Sequence, residues 1–467
     1  MKNIQLKLST FYLLFFTSRK RRGMYLPVIL LASVVFITFA TAIITMSLSN
    51  LKMATLHNKR ITSMSIAEAG VNYYLWHLAH DNTDYCDGLP CPALNADGSY
   101  GPFAHTYSDA DGTVSGSYEL FVTPPTTGSA ITTVKAIGKV LNTNTTRTVI
   151  TTIGMPSFTK YTLLVNNSEL WVGNGEKIDG SVFINHNGVR NDGEITKDVS
   201  STETTYASRM FGGSHPGIWG TGTYGGAKLF PTPAIDFNQL NVDILNIRND
   251  ARNFQEGDYH DYSGSGNVGY HVILKADNYE VKKVKKFDNT GLNIVHEGAG
   301  VSYGYPAAGV IFFEDDVWVE GTIDDKKITI IAADPEASQG QRKRIIIPNN
   351  IKYSHLDGSD KIGLITQTDI LLTRDAPSDL EIDAAMIAKD GQIKINNFGE
   401  QKNNIKVYGS MAHNTGLIWT YCFNPPLCTS YSGYKTTQTM IDQQNVLNPP
   451  PKFPLTGTFA ILSWREE

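Results

Sequence analysis

The sequence predicts a mainly β protein carried on a long N-terminal membrane-spanning α-helix: a helix with a small sheet, followed by a parallel β-helix. Three observations lead there. Residues Gly23 to Leu51 form 29 consecutive positions without a charge, where roughly 20 apolar residues suffice to cross a bilayer. Glycine is abundant at 41 residues, beside 22 Tyr and 20 Phe, which favours turn-rich β structure over helix. Finally, the later chain is a succession of very short apolar clusters separated by Gly and Asn turns, the pattern of stacked rungs.

Length and charge bound what the protein does. At 467 residues with 41% apolar and 18% charged residues, the chain has several structural units and is not a disordered polyelectrolyte. Its 40 Lys and Arg against 45 Asp and Glu give a net charge of -5, which argues against a nucleic-acid partner. Lys2, Lys7, Arg19, Lys20, Arg21 and Arg22 all precede residue 24 without an acid among them, and the rest of the chain is 34 basic against 45 acidic residues.

The helix comes first. The Arg19 to Arg22 cluster should stay cytoplasmic under the positive-inside rule, placing everything after Leu51 across the inner membrane in a single pass. The apolar patch at Phe11 to Phe16 precedes the cluster and is too short to span. Beyond the membrane, Ile61, Met64, Ala67, Val71, Tyr74 or Leu75, and Leu78 recur at helical spacing, so one helix runs from about Tyr25 to His77. Its second half packs one stripe on a folded head.

After His80 the run YCDGLPCPALNADGSYGP reads as a loop. Ser117 to Pro124, Ala130 to Val140 and Arg147 to Met155 alternate apolar and polar residues and predict three antiparallel strands. From Tyr161 the short rungs begin: Leu163 to Val165, Leu170 to Val172 and Lys177 to Asn185, then Gly309 to Ile323 and five further runs up to Ala412. A β-sandwich fits the same signals. Ser200 to Tyr303 reads as an insertion containing one helix, marked by Phe237, Leu240, Ile244, Leu245, Ile247 and Ala251 with Asp236 as N-cap. The resulting units are 1–23, 24–80, 81–157, 158–448 with its insertion at about 200–303, and a Pro-rich segment with a last strand at 449–467.

Four cysteines fall into two close pairs, Cys86 with Cys91 and Cys422 with Cys428. An even count beyond a membrane helix points to disulfides in an oxidising compartment. Four thiolates split between the two ends of the chain, without histidines at ligand spacing, make a poor zinc site. The acids Glu314, Asp315, Asp316, Glu320, Asp324 and Asp325 raise a glycan hydrolase or lyase, since paired carboxylates perform that chemistry; in a strand only Glu314 and Asp316 share a face, and a solvated rim explains the cluster equally. There is no HExxH, no Walker loop and no GxGxxG opening a helix. GGSHPG at Gly212 to Gly217 lacks the second glycine of a nucleophile elbow. No cofactor is expected, and neither is a metal.

The order basic cluster, Gly23, Met24, uncharged helix, then Ala67-Glu68-Ala69-Gly70 within SIAEAGVNYYLWHL resembles PilX-like pilus-assembly proteins of the type IV pilin superfamily. The FPTPAIDF helix, the GVIFFEDDVWVEGTI run and the closing segment with Pro449, Pro450, Pro451, Phe453, Pro454, Trp464, Arg465 and Glu466 extend that resemblance over most of the chain. It implies cleavage after Gly23 by a prepilin peptidase, Met24 as the new N-terminus, other pilins and the pilus assembly machinery as partners, and a non-enzymatic, minor structural role in assembling, initiating or capping a type IV pilus or related secretion filament. One departure stands out: the fifth mature position, Glu in major pilins, is Val28. Two other readings are an anchored adhesin that binds a surface glycan and, with the carboxylates at work, a glycan-active β-helix enzyme.

Overall fold

A computed structural model describes residues 25–467 apart from 82, 126–130, 156, 238, 254–255, 337–342, 397–399, 424, 426–428 and 456–458. Gly23, Met24 and Cys428 lie outside the described residues.

Helix α1 runs unbroken over Tyr25–His80. Pro27 falls in its first turn, where a missing N–H costs nothing, and no glycine interrupts it before Gly70. Its two halves live in different surroundings. From Tyr25 to Thr62 the side chains face outward, with Leu26 71%, Phe36 75% and Phe39 67% exposed. Beyond that, Ser63, Ile66, Ala67, Gly70, Val71, Tyr74 and Leu78 form one buried stripe, the three-to-four spacing of a helix lying on a layer.

That layer is an antiparallel sheet of β1 (Tyr100–Ser108), β2 (Val114–Thr123), β3 (Ile131–Val140) and β4 (Thr146–Gly154), joined in chain order. Alternation puts Tyr118, Leu120, Val122, Val134, Ala136, Val149 and Ile153 against α1. A fifth strand completes it from the far end of the sequence: Ala460–Glu466 pairs antiparallel with β4, from Ala460 opposite Gly154 to Glu466 opposite Val149. Three strands were expected. The first was hidden because Gly101-Pro102 sits at a register shift inside it, so its residues read as a turn.

From Leu163 the chain winds into short strands whose partners lie one coil away and run parallel. One ladder of the stack is, in spatial order, Asp258–His260, Val310–Phe313, Lys327–Ala332, Lys361–Thr366, Asp379–Ala388, Gln401–His413, Leu163–Val165, Val182–Ile184, Val199–Ser201 and Lys228–Leu229. Two further ladders flank the first coils, Leu170–Val172 with Val189–Asn191 and Ile218–Trp219, and Glu176–Asp179 with Glu194–Ile195 and Thr223–Tyr224. This is the geometry of a parallel β-helix.

The chain joins this stack in its middle. A first run climbs from Leu163 to Leu229; a connector carrying helix α2 (Gln239–Asn253) returns to the opposite end at Asp258. A second run then climbs until Met411–His413 and Thr437–Met440 pair with Leu163–Val165 and Glu176–Asp179. The expected insertion over 200–303 is not continuous: short stack strands fall within it, among them Ile218–Trp219, Thr223–Tyr224, Lys228–Leu229, Asp258–His260 and Gly269–Leu274. Its TGTYGG segment has loop composition, yet a Cβ at Gly222 would lie 2.4 Å from the Gly193 carbonyl oxygen and one at Gly225 2.2 Å from that of Thr196. Those glycines let one coil settle on the next. What leaves the stack is the hairpin Thr205–Ala207 with Ser214–Pro216, α2, and an antiparallel flap, Asn278–Phe287 with Ile294–Glu297 and Val301–Gly304.

The rungs read as unbroken apolar runs because both their faces are covered. Leu163, Val165, Val182, Ile184, Ile311, Phe313, Ile330 and Ala332 point into the coil interior. Their neighbours Leu164, Phe183, Phe312 and Ile331 point outward under Ile244, Ile247 and Ala251 of α2, Phe158 and Phe453. The path leaves the stack beside where it joined: Ser157 bridges Leu455, and the Thr159 hydroxyl donates to the Asn445 carbonyl at 2.6 Å. Helix α3 (Gln443–Leu447), capped by Asp442, is held by the buried Lys361 ammonium, which donates to Gln444 O and Asn445 Oδ1 at 3.1 Å each. The β-helix is thus inserted between β4 and the fifth strand of the head sheet.

Candidate assembly surface

The first element of the site is the seam between α1 and the sheet. Small residues on both sides set its closeness. A Cβ at Gly138 would fall 2.2 Å from the Ser63 carbonyl oxygen and 2.5 Å from the Ala67 nitrogen, and one at Gly116 2.5 Å from Ile66 Cδ1. Ser63 Oγ donates to the Gly138 carbonyl at 2.7 Å. Within the Ala67-Glu68-Ala69-Gly70 element, Ala67 is fully buried and Gly70 faces Tyr118, whose Cδ2 would be 2.8 Å from an added Cβ. Ala69 is half-buried, and Glu68 points outward. Two of these four positions therefore serve packing, and the carboxylate is left on the free side of the helix.

The second element is the loop after α1. Cys86 and Cys91 are joined by a disulfide. Cys422 is also disulfide-bonded. Around Cys86, Asp84 accepts from the Cys86 N–H at 2.8 Å and sits 3.0 Å from His77 Nε2. Burial works to raise the Asp84 pKa, but the N–H groups of Cys86 and Gly88 and the His77 contact outweigh it and hold the carboxyl below its usual range. Asp87 lies 2.7 Å from His105 Nε2 and accepts from the Tyr73 hydroxyl at 3.0 Å. Burial, then the bond to Asp87, pushes Tyr73 up to about 12. The loop is stapled and hydrogen-bonded, while Leu89 at 59% and Leu94 at 55% stay exposed.

The acids at Glu314 to Asp325 are spread over separate contacts. Glu314 lies 3.6 Å from Arg248, Asp315 3.5 Å from Lys343, and Asp316 2.5 Å from Arg344. Glu320 accepts from His271 Nε2 at 2.9 Å, and Glu297 of the flap from His271 Nδ1 at 2.8 Å. Asp324 and Asp325 gather instead near His355, exposed at a turn. The run thus works chiefly as ties between coils. Sequence reading missed one feature here, a column on the outside of the first coils: Trp171, Arg190 and Trp219 stand in register, with His215 stacked on Trp219 at 3.8 Å and the Arg190 guanidinium 4.1 Å from Phe211. GGSHPG belongs to the hairpin Thr205–Ala207 with Ser214–Pro216 that covers this column. The intervals from Trp171 to Arg190 and from Arg190 to Trp219 are unequal, 19 and 29 residues, so no sequence period signalled it.

Comparison with known proteins adds little. No family model and no curated protein matches the chain. Among solved structures the chain is similar to the competence-associated pilin ComZ from Thermus thermophilus. Identity is 13% and the TM-score 0.30, with 88% of this chain and 97% of that chain covered. A likeness at that score carries no argument.

Proposed function

We propose that the protein is an exported structural subunit, anchored in the inner membrane by α1, that contributes to assembling, initiating or capping a type IV pilus or related secretion filament. The observation that carries this reading is the division of α1. Its first half is an exposed apolar helix, the one helix among the described residues long and apolar enough to cross a membrane, while its second half is a clamped element of a folded head. A helix that is apolar all round needs lipid or other helices as its surroundings. The Gly23-Met24 junction and the Ala67 to Gly70 element support a prepilin-type subunit through the resemblance already described.

Val28 favours a position at a filament end. In that family the acid at the fifth mature position is associated with docking to a neighbouring subunit, and an unpaired charge in an apolar interior is expensive. A subunit without that acid is disfavoured where it must satisfy neighbours on both sides. The inserted β-helix argues the same way, because so large a body on every subunit would crowd a closely packed shaft. The test is the composition of purified filaments: this protein is expected at a small fraction of the major subunit, and its loss should reduce filament number more than length. Amounts comparable to the major subunit would overturn the reading.

A further inference from the structure

The flap ends in an apolar strand edge. A row of side chains runs out to it across four strands: Val319 stands opposite Val272, Val272 opposite Val281, and Val281 opposite Val301. Val319 and Val272 are fully buried and Val281 is 6% exposed, but Val301 is 54% exposed. The neighbouring row does the same from Leu274 through Tyr279 to Tyr303, at 2%, 0% and 36%. Each row is covered while a further strand follows and opens where none does. Ile294–Glu297 and Val301–Gly304 lie end to end along Asn278–Phe287, with residues 298–300 between them, and among the described residues no strand pairs with the other side of either. Sheet edges are ordinarily guarded by Lys or Pro. Residues 294–305 hold neither, and their one acid, Glu297, is tied to Lys282 at 2.5 Å.

The lysines of the flap lie one strand in from this edge. Asn278–Phe287 runs between Gly269–Leu274 and the edge strands, so Lys282, Lys283, Lys285 and Lys286 do not guard it. Lys283 donates to the Ser263 carbonyl at 2.9 Å. Lys285 and Lys286 are exposed, Lys286 opposite His296, and neither has an ion-pair partner among the described residues. In a chain of net charge -5 they make a local basic end beside an apolar edge. We propose that residues 294–304 take up an extended segment of a partner protein as a further strand, its apolar side chains on the Val301 and Tyr303 rows and its acidic ones alongside Lys285 and Lys286. Eleven edge positions span about 36 Å at the strand rise, so a segment of about that length covers them, with its acids at the end lying by Ile294–Glu297. Main-chain hydrogen bonding along an open edge supplies affinity, and alternate side chains supply selectivity. The open backbone edge favours a peptide over a nucleic acid, and the two lysines favour an acidic one. The contact does not depend on how residues 1–23 are processed.

The test uses the full-length protein in detergent and two fluorescein-labelled peptides, TVTVSVSEDE and EDESVSVTVT, one for each strand direction. By fluorescence anisotropy one of them should bind with a Kd of about 100 µM or tighter, and it should raise the hydrogen-exchange protection of residues 294–304. Val301→Lys, which puts a charge on the open row, should weaken binding roughly tenfold. Lys285→Glu combined with Lys286→Glu should weaken it roughly fivefold and shift preference to the same peptide with lysines in place of its acids; both positions are exposed, so this variant keeps the test decisive if Val301→Lys fails to fold. Unchanged protection of residues 310–332 controls for folding. Binding by neither peptide, protection confined to other residues, or equal binding of the acidic and lysine peptides by the unaltered protein would each overturn the proposal. So would duplex DNA that protects residues 283–287 where the peptides do not, or self-association abolished by Val301→Lys, since the occupant would then be a nucleic acid or a second copy of this chain.

Discussion

Replacing Gly138 by Ala should lift α1 from its sheet. The new methyl group would meet helix backbone, at 2.2 Å from Ser63 O, 2.5 Å from Ala67 N and 3.1 Å from Ala67 Cα. Carbon contacts relax near 3.5 Å, so the helix must retreat by about 1 Å, and no rotamer change can absorb this because none of the three atoms is in a side chain. Overpacking of this kind costs about 1–3 kcal/mol, and stretching the Ser63–Gly138 hydrogen bond adds about 1 kcal/mol, for roughly 2–4 kcal/mol in total. Gly70→Ala is the comparison. Its methyl meets side chains rather than backbone, Tyr118 Cδ2 at 2.8 Å and Leu120 Cδ2 at 3.2 Å, and alanine regains up to about 1 kcal/mol of helix propensity, so the net cost should be the smaller of the two, about 0–2 kcal/mol. Hydrogen exchange of peptides covering residues 63–78 and 131–140, in detergent-solubilised protein, reads both changes. Equal protection loss in the two variants, or none in Gly138→Ala, would refute the packing argument.

Two other perturbations probe the insertion and the flap. Deleting residues 460–467 should expose β4 as an edge and lower its exchange protection by roughly 2 kcal/mol or more, leaving the 310–332 coils unchanged; loss in both places would show that head and β-helix are not separable units. His271 joins the stack to the flap through Glu320 and Glu297. Burial disfavours its imidazolium, but hydrogen bonds to those two carboxylates outweigh it and raise its pKa, while Glu320, through its bond with His271, is lowered. The charged imidazolium therefore contributes fully below about pH 6.5, the unfolded histidine value, and its contribution is lost as pH rises through the higher folded value; the carboxylate contribution is lost on acidification below about pH 4.5. Proteolysis at Lys285 or Lys286 should be slowest in mildly acidic solution and quicken toward alkaline pH. His271→Gln should abolish that dependence, and an unchanged profile in the variant would contradict it.

How much of this was legible in the sequence depended on whether the information was local. The uncharged run after Gly23 and the recurrence of Ile66, Ala67, Gly70, Val71 and Tyr74 are consecutive features of one helix, and α1 follows from them. Short clusters such as Leu163 to Val165 announce rungs because β-helix coils bury both faces of each strand. Coil order was not legible. That Met411–His413 pairs with Leu163–Val165 is a matter of which strand edges meet across some 250 residues, and either edge has the same composition. The same holds for Ala460–Glu466 on β4. Glycine misled where it served stacking, at Gly222 and Gly225, since close approach and a flexible turn require the same residue. For the assembly surface, Glu68 was visible as a charge, but only the fold shows that it lies on the free side of the helix.

The mature N-terminus tests the account most directly. Intact mass and terminal peptide sequencing of the protein recovered from the membrane or from filaments should give a chain beginning at Met24, with the Lys2 to Arg22 segment gone. Recovery of the assembled protein with residues 1–23 intact would contradict the prepilin reading and leave α1 an ordinary signal anchor.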